Sequence, residues 1–289
     1  MKSIEGLRCR QIVGILTAVV LLIALYVAAD VRQVLRTLVG VSPGYVVAAM
    51  LLFVPQILVS AIRWRLFVAD GCGISLVESV RQTLTAAAWN LALPSKLGDF
   101  SKAAMLPLGT LKRRAAATRF VVYEKLADVA ALLALYGWAS SPLAPNRWTQ
   151  PGGGLLVLVA ATALIGISGR GSFRLRQAPM LAALSLTLWS LHLLQFDLFM
   201  KSAGVFSPCD VTLSRIPLAI FAGLLPISFW GLGTRDAALV WLFADSAPAS
   251  TMAVIGALAS LRYVIPGLAG LAMLRGFSHP ALSRGSMPT

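Results

Sequence analysis

Apolar runs long enough to cross a lipid bilayer recur along this 289-residue chain, and they restrict it to a helical membrane fold. Hydrophobic residues make up 58% of the chain and charged residues 12%, against roughly 25% charged residues in a soluble domain. We predict an all-α integral membrane protein with one polytopic domain over residues 1–289. The full spans are predicted at about 12–29, 45–62, 118–141, 152–168, 179–200 and 250–274.

Two further apolar segments, 90–99 and 225–236, are interrupted in the same way by Leu-Pro, then Ser, then Gly and a charged residue. Proline removes a backbone donor and clashes with the preceding turn, and glycine allows backbone angles that other residues avoid. Lipid cannot satisfy the freed N–H and C=O groups, so these breaks are expected to face protein or water. The predicted helix-breaking residues are Pro94, Gly98, Pro226, Gly231 and Gly233.

Short local patterns predict the start of one helix and the surface location of another. Ser75 and Glu78 have the spacing of a capping box, which predicts a helix that starts at the membrane interface. The stretch 30–42 places Val31, Val34, Leu35 and Leu38 on one face, which predicts a short amphipathic helix lying on the outer surface.

The basic residues indicate the topology, because they gather on the cytoplasmic side of membrane proteins. The chain carries 25 Lys and Arg against 11 Asp and Glu, a net charge of +14. If segments 75–110 and 211–245 return to the side from which they enter, fifteen basic residues, including Arg63 and Lys102, lie in the cytoplasm and four lie outside. We therefore predict six full spans plus two re-entrant hairpins, with both termini cytoplasmic. Anionic lipid headgroups, and not nucleic acid, are the expected partners of this charge.

This topology makes the chain an inverted repeat. Units of about 45–141 and 179–274 each contain a span, a hairpin and a second span, and they enter the membrane from opposite sides. Matched broken segments in two halves of a chain are the best sequence indication of a transport site. The two hairpin tips are expected to meet near the middle of the bilayer.

Charged residues inside predicted spans are costly, so each needs a partner or a function. Glu124 and Asp128 are four residues apart on one helix face, where two carboxylates repel each other. Arg262 lies in the middle of span 250–274 and is predicted to approach Glu124 or Asp128. Two interpretations remain open: a buried ion-pair network that only fixes packing, or a gate or proton-coupling site.

The hairpin tips carry the predicted substrate-binding residues. Lys96 and Arg235 could hold a phosphate. Arginine would form a bidentate contact through its guanidinium, and lysine would act as a point charge. The alternative is local pairing without a ligand, Lys96 with Asp99 and Arg235 with Asp236 or Glu124. The full predicted set is Asn90, Ser95, Lys96, Asp99, Ser228, Arg235 and Asp236.

No catalytic, metal or cofactor motif is recognisable. Cys9, Cys72 and Cys209 share no ligand spacing, and His192 and His279 are far apart in the sequence. A phosphate-binding glycine loop is also absent from the sequence. We predict no catalytic residue, no metal and no cofactor.

The pattern of 90–99, followed by Glu124 and Asp128 and then by 225–236, resembles the flippase-like membrane domain of lysylphosphatidylglycerol synthases, over roughly 45–275. The resemblance implies a lipid-translocating role in the bacterial inner membrane. The soluble aminoacyl-transferase domain of the full synthases is not recognisable, so aminoacyl transfer is not expected. Trp230, Lys102 and Asp236 stand where the family often has Gly, Arg and Glu.

The leading hypothesis is a flippase-like protein that translocates or binds a lipid with a polar or phosphate headgroup. One alternative is an intramembrane enzyme or an accessory subunit that works with glycosyltransferases or lipid-synthesis enzymes. Another is a carrier of a small solute. A cleft open sideways to lipid would favour the first hypothesis, and a closed polar cavity would favour the last.

Overall fold

The computed structural model describes residues 30–107, 111–139, 177–224 and 233–275, without the side chains of 69–72, 94–95, 111–116 and 275. Every regular element in these ranges is helical. The α-helices are α1 (Val31–Val39), α2 (Pro43–Leu51), α3 (Phe53–Cys72), α4 (Leu76–Ala92), α5 (Ser101–Ala104), α6 (Leu111–Ala139), α7 (Ala178–Ser202), α8 (Cys209–Leu224), α9 (Thr234–Leu242), α10 (Ala249–Leu261) and α11 (Val264–Arg275). A 3₁₀ helix, Pro94–Phe100, joins α4 to α5. The predicted spans 12–29 and 152–168 lie outside the described residues.

Three segments of the described chain are long and apolar enough to cross a membrane: Pro43–Val68, Ala178–Ser202 and Ala249–Leu274. They correspond to the predicted spans 45–62, 179–200 and 250–274. Helix α6 covers residues 118–139 of the predicted span 118–141 and is 29 residues long. It is not one of the three, because its charged residues make it too polar by composition.

Two of these spans are interrupted, each four residues before a proline. Pro55 follows the end of α2 at Leu51, and Pro266 follows Arg262 at the break between α10 and α11. Proline cannot donate to the carbonyl four residues earlier, and its ring clashes with that carbonyl. The predicted span 250–274 is therefore present but broken at its centre, which places Arg262 and Tyr263 in the break.

The first hairpin begins as the sequence predicts. Ser75 precedes α4, and its hydroxyl accepts from the backbone N–H of Glu78 at 3.1 Å. The second half of the capping box is replaced, because the Glu78 carboxylate accepts from the Gln82 amide at 3.1 Å. The 3₁₀ helix that starts at Pro94 then packs back against α4.

In this turn the positive φ that the sequence suggests for Gly98 is found at Lys96 instead. Gly98 does not have a positive φ; a Cβ there would overlap with the backbone nitrogen of Asn90, so glycine is needed for close approach. The left-handed backbone belongs to Lys96, with φ 56°. The helix break at Pro94 is present, and the predicted conformational role of Gly98 is wrong.

The second hairpin consists of α8 and α9, which pack against each other. Gly233 has φ 85° and precedes α9, and its N–H donates to the Asp236 carboxylate at 3.3 Å. Arg215 on α8 binds Asp245 beyond α9 through two hydrogen bonds of 2.5 and 2.8 Å, which hold the pKa of Asp245 below its ordinary value. The predicted residues Pro226, Ser228 and Gly231 lie outside the described residues.

The hairpin in each half of the described chain packs on the last helix of the other half. Helix α4 packs on α11, and α8 packs on α6. The α4–α11 contact is close because a Cβ at Gly270 would overlap with the Leu84 carbonyl, and one at Gly267 would overlap with the Leu91 side chain. Helix α7 lies centrally, in contact with α2, α3, α6 and α10.

Helix α1 has the amphipathic character that its sequence predicts, but only part of its apolar face is covered. Val34 is buried and α1 packs on α10. Val31, Leu35 and Leu38 remain about half exposed. This surface suits contact with the membrane.

Candidate functional site

A central cavity lies where the hairpins, the break after α10 and helix α7 come together. It has a larger compartment of about 140 Å³ and a smaller one of about 90 Å³. We call the smaller one the tip compartment; Asn90, Lys96, Arg235, Arg262 and Tyr263 are its polar lining residues. Both exceed the roughly 10–15 Å³ that holds one water, so the polar lining can be hydrated.

Glu124 is held by two cations in the larger compartment. Its carboxylate accepts from Arg63 Nη2 at 3.2 Å and from Lys102 Nζ at 2.7 Å. The other nitrogen of the Arg63 fork, Nη1, binds Asp128 Oδ1 at 2.6 Å. Arg63, Lys102 and Glu124 are at most 2% exposed. These contacts connect α3, α5 and α6 through buried charges, which are screened much less than exposed ones.

The same network extends to the first hairpin through Lys125. Its ammonium pairs with Asp99 on the 3₁₀ helix and lies 3.7 Å from Asp128. Asp99 also accepts from the Asn90 amide at 2.9 Å. We call Arg63, Asp99, Lys102, Glu124, Lys125 and Asp128 the charge cluster. Helix α7 joins it where Trp189 Nε1 donates to Asp128 at 3.0 Å.

The ion pair predicted between Arg262 and Glu124 or Asp128 does not form, and Arg63 takes that place. Arg262 instead donates to Gln195 on α7 at 3.3 Å and to the Tyr263 hydroxyl at 2.8 Å. Its guanidinium lies 4.8 Å from the centre of the Phe196 ring. The break after Leu261 positions Arg262 against α7, away from the carboxylates of α6.

The charge count assigns Arg63 and Lys102 to the cytoplasmic side, but both are 2% exposed in the protein interior. One sequence signal could have identified Arg63, because Ala61, Ile62 and Trp64 surround it with apolar residues. Beyond Arg65 the sequence is again apolar at Leu66, Phe67 and Val68, so Arg63 does not mark the end of the hydrophobic segment. Lys102 carries no comparable signal.

Lys96 projects from the first hairpin tip into both compartments. The predicted alternative, a pair with Asp99, is not formed; Lys96 has no carboxylate within 4.0 Å among the described residues. Its ammonium lies 5.8 Å from the ring centres of Trp189 and Tyr263. At that distance the rings provide a weak cation–π contact and no counter-charge.

Arg235 in the second hairpin follows the local pairing that the sequence left open. Its Nε and Nη2 donate to Asp236 Oδ1 at 3.0 and 2.6 Å, and Nη2 also contacts the Gly256 carbonyl and Ser260 hydroxyl, both at 2.7 Å. Arg235 is 2% exposed, and its Nη1 has no hydrogen-bond partner within the described ranges. Arg235 lines the tip compartment, whereas Asp236 does not.

The structure therefore brings Asn90, Lys96, Asp99, Glu124, Asp128 and Arg262 around one cavity, with Arg235 at its tip compartment. Arg63, Lys102, Lys125 and Tyr263 are additional lining residues that the sequence analysis did not select. The side chain of Ser95 is not described, and Ser228 lies outside the described ranges. Within those ranges, no three His, Cys, Asp or Glu side chains are grouped to hold a metal ion.

A family model described as the lysylphosphatidylglycerol synthase TM region matches residues 11–179, which is more than half of the chain. The chain belongs to this family. The suspected relationship is thus confirmed, but with different limits from the predicted 45–275. The lysylphosphatidylglycerol synthase match contains the first break, Glu124 and Asp128, and ends before the second break. The comparison with curated proteins gives no match. Together with the three candidate spans, membership indicates a multi-pass membrane protein of lipid metabolism.

Proposed function

We propose that this protein binds the polar or phosphate-bearing headgroup of a membrane lipid in the central cavity and moves the lipid between leaflets. The observation that carries the proposal is the convergence of Lys96, Arg235 and Arg262 on one compartment. These cations come from the first hairpin, the second hairpin and the break in the last span. Cations at membrane depth are expensive to bury and are typical of ion or substrate pathways.

The topology that suits this function has six full spans and two re-entrant hairpins in inverted repeat units. The reciprocal packing of α4 on α11 and of α8 on α6 supports it, because a pseudo-twofold axis between the units would produce that exchange. Placement in a bacterial inner membrane with cytoplasmic termini belongs to the same proposal, and the charge distribution and the family support it.

The charge cluster and Arg262 suit the role of gate residues in this proposal. The cluster fixes α3, α5 and α6 to one another, while Arg262 bonds to Gln195 on α7. A headgroup that draws Arg262 towards itself would compete with its bond to Gln195. Differential contacts of that kind are what allow a ligand to shift a protein between two states.

Leaflet exchange of fluorescent lipids in proteoliposomes tests the proposal. Lipids with phosphatidylglycerol, phosphatidate, phosphatidylcholine and polyprenyl-phosphate headgroups are labelled, and the label in the outer leaflet is quenched chemically. The protein is expected to accelerate exchange of at least one of them. Lys96→Gln should slow it by about tenfold, the loss expected for one charge-assisted contact.

Lys201→Gln is the matched control, because it removes one positive charge outside the cavity. Lys201 is paired with Asp197 at 2.7 Å and does not line either compartment. It should leave the exchange rate unchanged. Exchange no faster than in protein-free vesicles, for every headgroup tested, would refute lipid translocation.

A further inference from the structure

The larger compartment carries more positive than negative charge. Its lining contains five cations, Arg63, Lys96, Lys102, Lys125 and Arg262, and three carboxylates, Asp99, Glu124 and Asp128. The carboxylates are all engaged by three of these cations, as Arg63, Lys102 and Lys125 pair with them. With His192 counted as neutral, two positive charges remain, those of Lys96 and Arg262.

The tip compartment has the same two cations and no carboxylate among its described lining residues. Arg262 is 6% exposed and its Nε has no hydrogen-bond partner in the described part of the chain. Arg235 adds the unpartnered Nη1, while its own charge is balanced by Asp236. Buried guanidinium nitrogens without acceptors are unfavourable, so both nitrogens favour an acceptor group in the tip compartment.

We propose, resting on the lipid-binding function above, that the tip compartment is selective for a doubly charged phosphate monoester, with Lys96 and Arg262 as its counter-charges and Arg235 as an additional donor. A phosphate monoester carries a charge of about −1.5 to −2 at pH 7 and offers three acceptor oxygens. That charge matches the excess of two cations. The phosphodiester of phosphatidylglycerol carries one negative charge, and phosphatidylcholine has none overall.

The arrangement of donors suits such a group. Arginine presents a planar fork that matches phosphate oxygens, and lysine provides a compact point charge. The Tyr263 hydroxyl already accepts from Arg262 at 2.8 Å, and its proton is available to a phosphate oxygen. Because Lys96 belongs to one hairpin and Arg235 to the other, a single phosphate in the tip compartment would bridge the two.

Competition binding on the full-length protein in detergent micelles tests the selectivity. A fluorescent phosphatidate is displaced by unlabelled dioleoyl phosphatidate, phosphatidylglycerol or phosphatidylcholine. Phosphatidate is expected to bind at least about tenfold more tightly than phosphatidylglycerol, the effect of one additional ion pair in a shielded site. Lys96→Gln and Arg262→Gln should each reduce that preference to about twofold or less.

Control variants distinguish the effect of a lost charge from the effect of impaired folding. Lys96→Arg and Arg262→Lys retain the charge and should retain most of the preference, whereas Lys201→Gln should not change it. Thermal unfolding without phosphate lipids should occur at an unchanged or higher temperature in Lys96→Gln, because an uncompensated charge has been removed. Equal affinity for phosphatidate and phosphatidylglycerol, or a preference that survives both glutamine variants, would overturn the proposal.

Displacement of the fluorescent phosphatidate by inorganic phosphate shows whether the bound phosphate belongs to a lipid or is free in solution. Displacement at millimolar concentrations, far weaker than by phosphatidate, would support a lipid-borne phosphate. Displacement as effective as that by phosphatidate would support the phosphate site but would contradict lipid as its ligand. Normal exchange of phosphatidylglycerol without any phosphatidate preference would refute this inference alone. A phosphatidate preference without exchange of any lipid would instead refute translocation.

Discussion

Buried charge is the dominant feature at the scale of single residues. Glu124 is 1% exposed and is bound by Arg63 and Lys102. A buried ion pair adds little net stability when compared with an apolar substitute, because both partners lose their hydration. Removing only one partner is strongly destabilising, since the remaining charge stays buried and unpaired.

Arg63→Gln should therefore lower the free energy of unfolding by about 3–5 kcal/mol, the loss expected when a buried ion pair is broken. Two carboxylates would lose their shared cation. Chemical unfolding in mixed detergent micelles, followed by circular dichroism, measures the change.

Arg81→Gln is the comparison for this prediction, because Arg81 contacts Glu78 at 3.6 Å on the protein surface and both side chains are about one third exposed. Its effect should remain below about 1 kcal/mol, as for exposed ion pairs generally. Equal losses in the two variants would show that the charge cluster has no special structural role.

Sequence reasoning located the buried acids but assigned them the wrong cation. The four-residue spacing of Glu124 and Asp128 shows that they share a helix face and need a positive partner. Arg63 and Arg262 were both available from the sequence. The choice between them depends on how α3 and α10 are placed around α6, and long-range packing of that kind is not encoded in local spacing.

At the scale of elements, the helix breaks were predictable and their detailed geometry was not. Pro94 ends α4 by known local rules, and Ser75 begins it with its hydroxyl on the Glu78 N–H. The role of Gly98 depends on contact with Asn90 after the chain has turned back, and the positive φ of Lys96 follows from the same turn. Neither follows from residue preferences alone.

The contact between α4 and α11 gives a prediction about glycine. Gly270→Ala should lower the free energy of unfolding by about 1–3 kcal/mol, the usual range for overpacking, because the new Cβ would overlap with the Leu84 carbonyl. A detergent unfolding curve measures the loss, and lipid exchange should slow if the contact between the two units is altered.

Gly137→Ala is the matched substitution, because Gly137 lies in α6 and a Cβ added there would meet no atom within 4 Å. Alanine there should stabilise the protein by up to about 1 kcal/mol, the ordinary difference in helix propensity. A stabilising effect of Gly270→Ala would contradict close packing of α4 on α11.

At the scale of the whole molecule, the sequence predicted a helical membrane protein and three of its spans at nearly the observed limits. Composition and run length determine those features. The charge count included Arg63 and Lys102, which proved to be interior residues, yet the remaining basic residues still favour the same side. The orientation stays a prediction, and it rests on many residues and not on any one of them.

The re-entrant topology predicts which positions an impermeant thiol reagent reaches from each side. In a background without Cys9, Cys72 and Cys209, Val77→Cys and Pro107→Cys flank the first hairpin, and both should be labelled from the cytoplasmic side. Both native residues are exposed. Labelling of this pair from opposite sides would show that residues 76–106 cross the membrane once.

Phe206→Cys and Ala244→Cys make the equivalent pair around the second hairpin, and both native residues are exposed. They should react from the external side. Right-side-out and inverted vesicles measure the four labelling patterns. Reaction of Phe206→Cys from the same side as Val77→Cys would contradict inverted units.

The proline-induced interruption at Arg262 and Tyr263 has a consequence for how the protein can move. A continuous helix tilts as one rod, but α10 and α11 are not joined by an unbroken ladder of backbone hydrogen bonds. Helix α11 is attached to α4, whereas α10 is attached to α1, α7 and α9. A hinge between two moving bodies can thus lie within a single transmembrane crossing, at Arg262, and not in an exposed connecting loop.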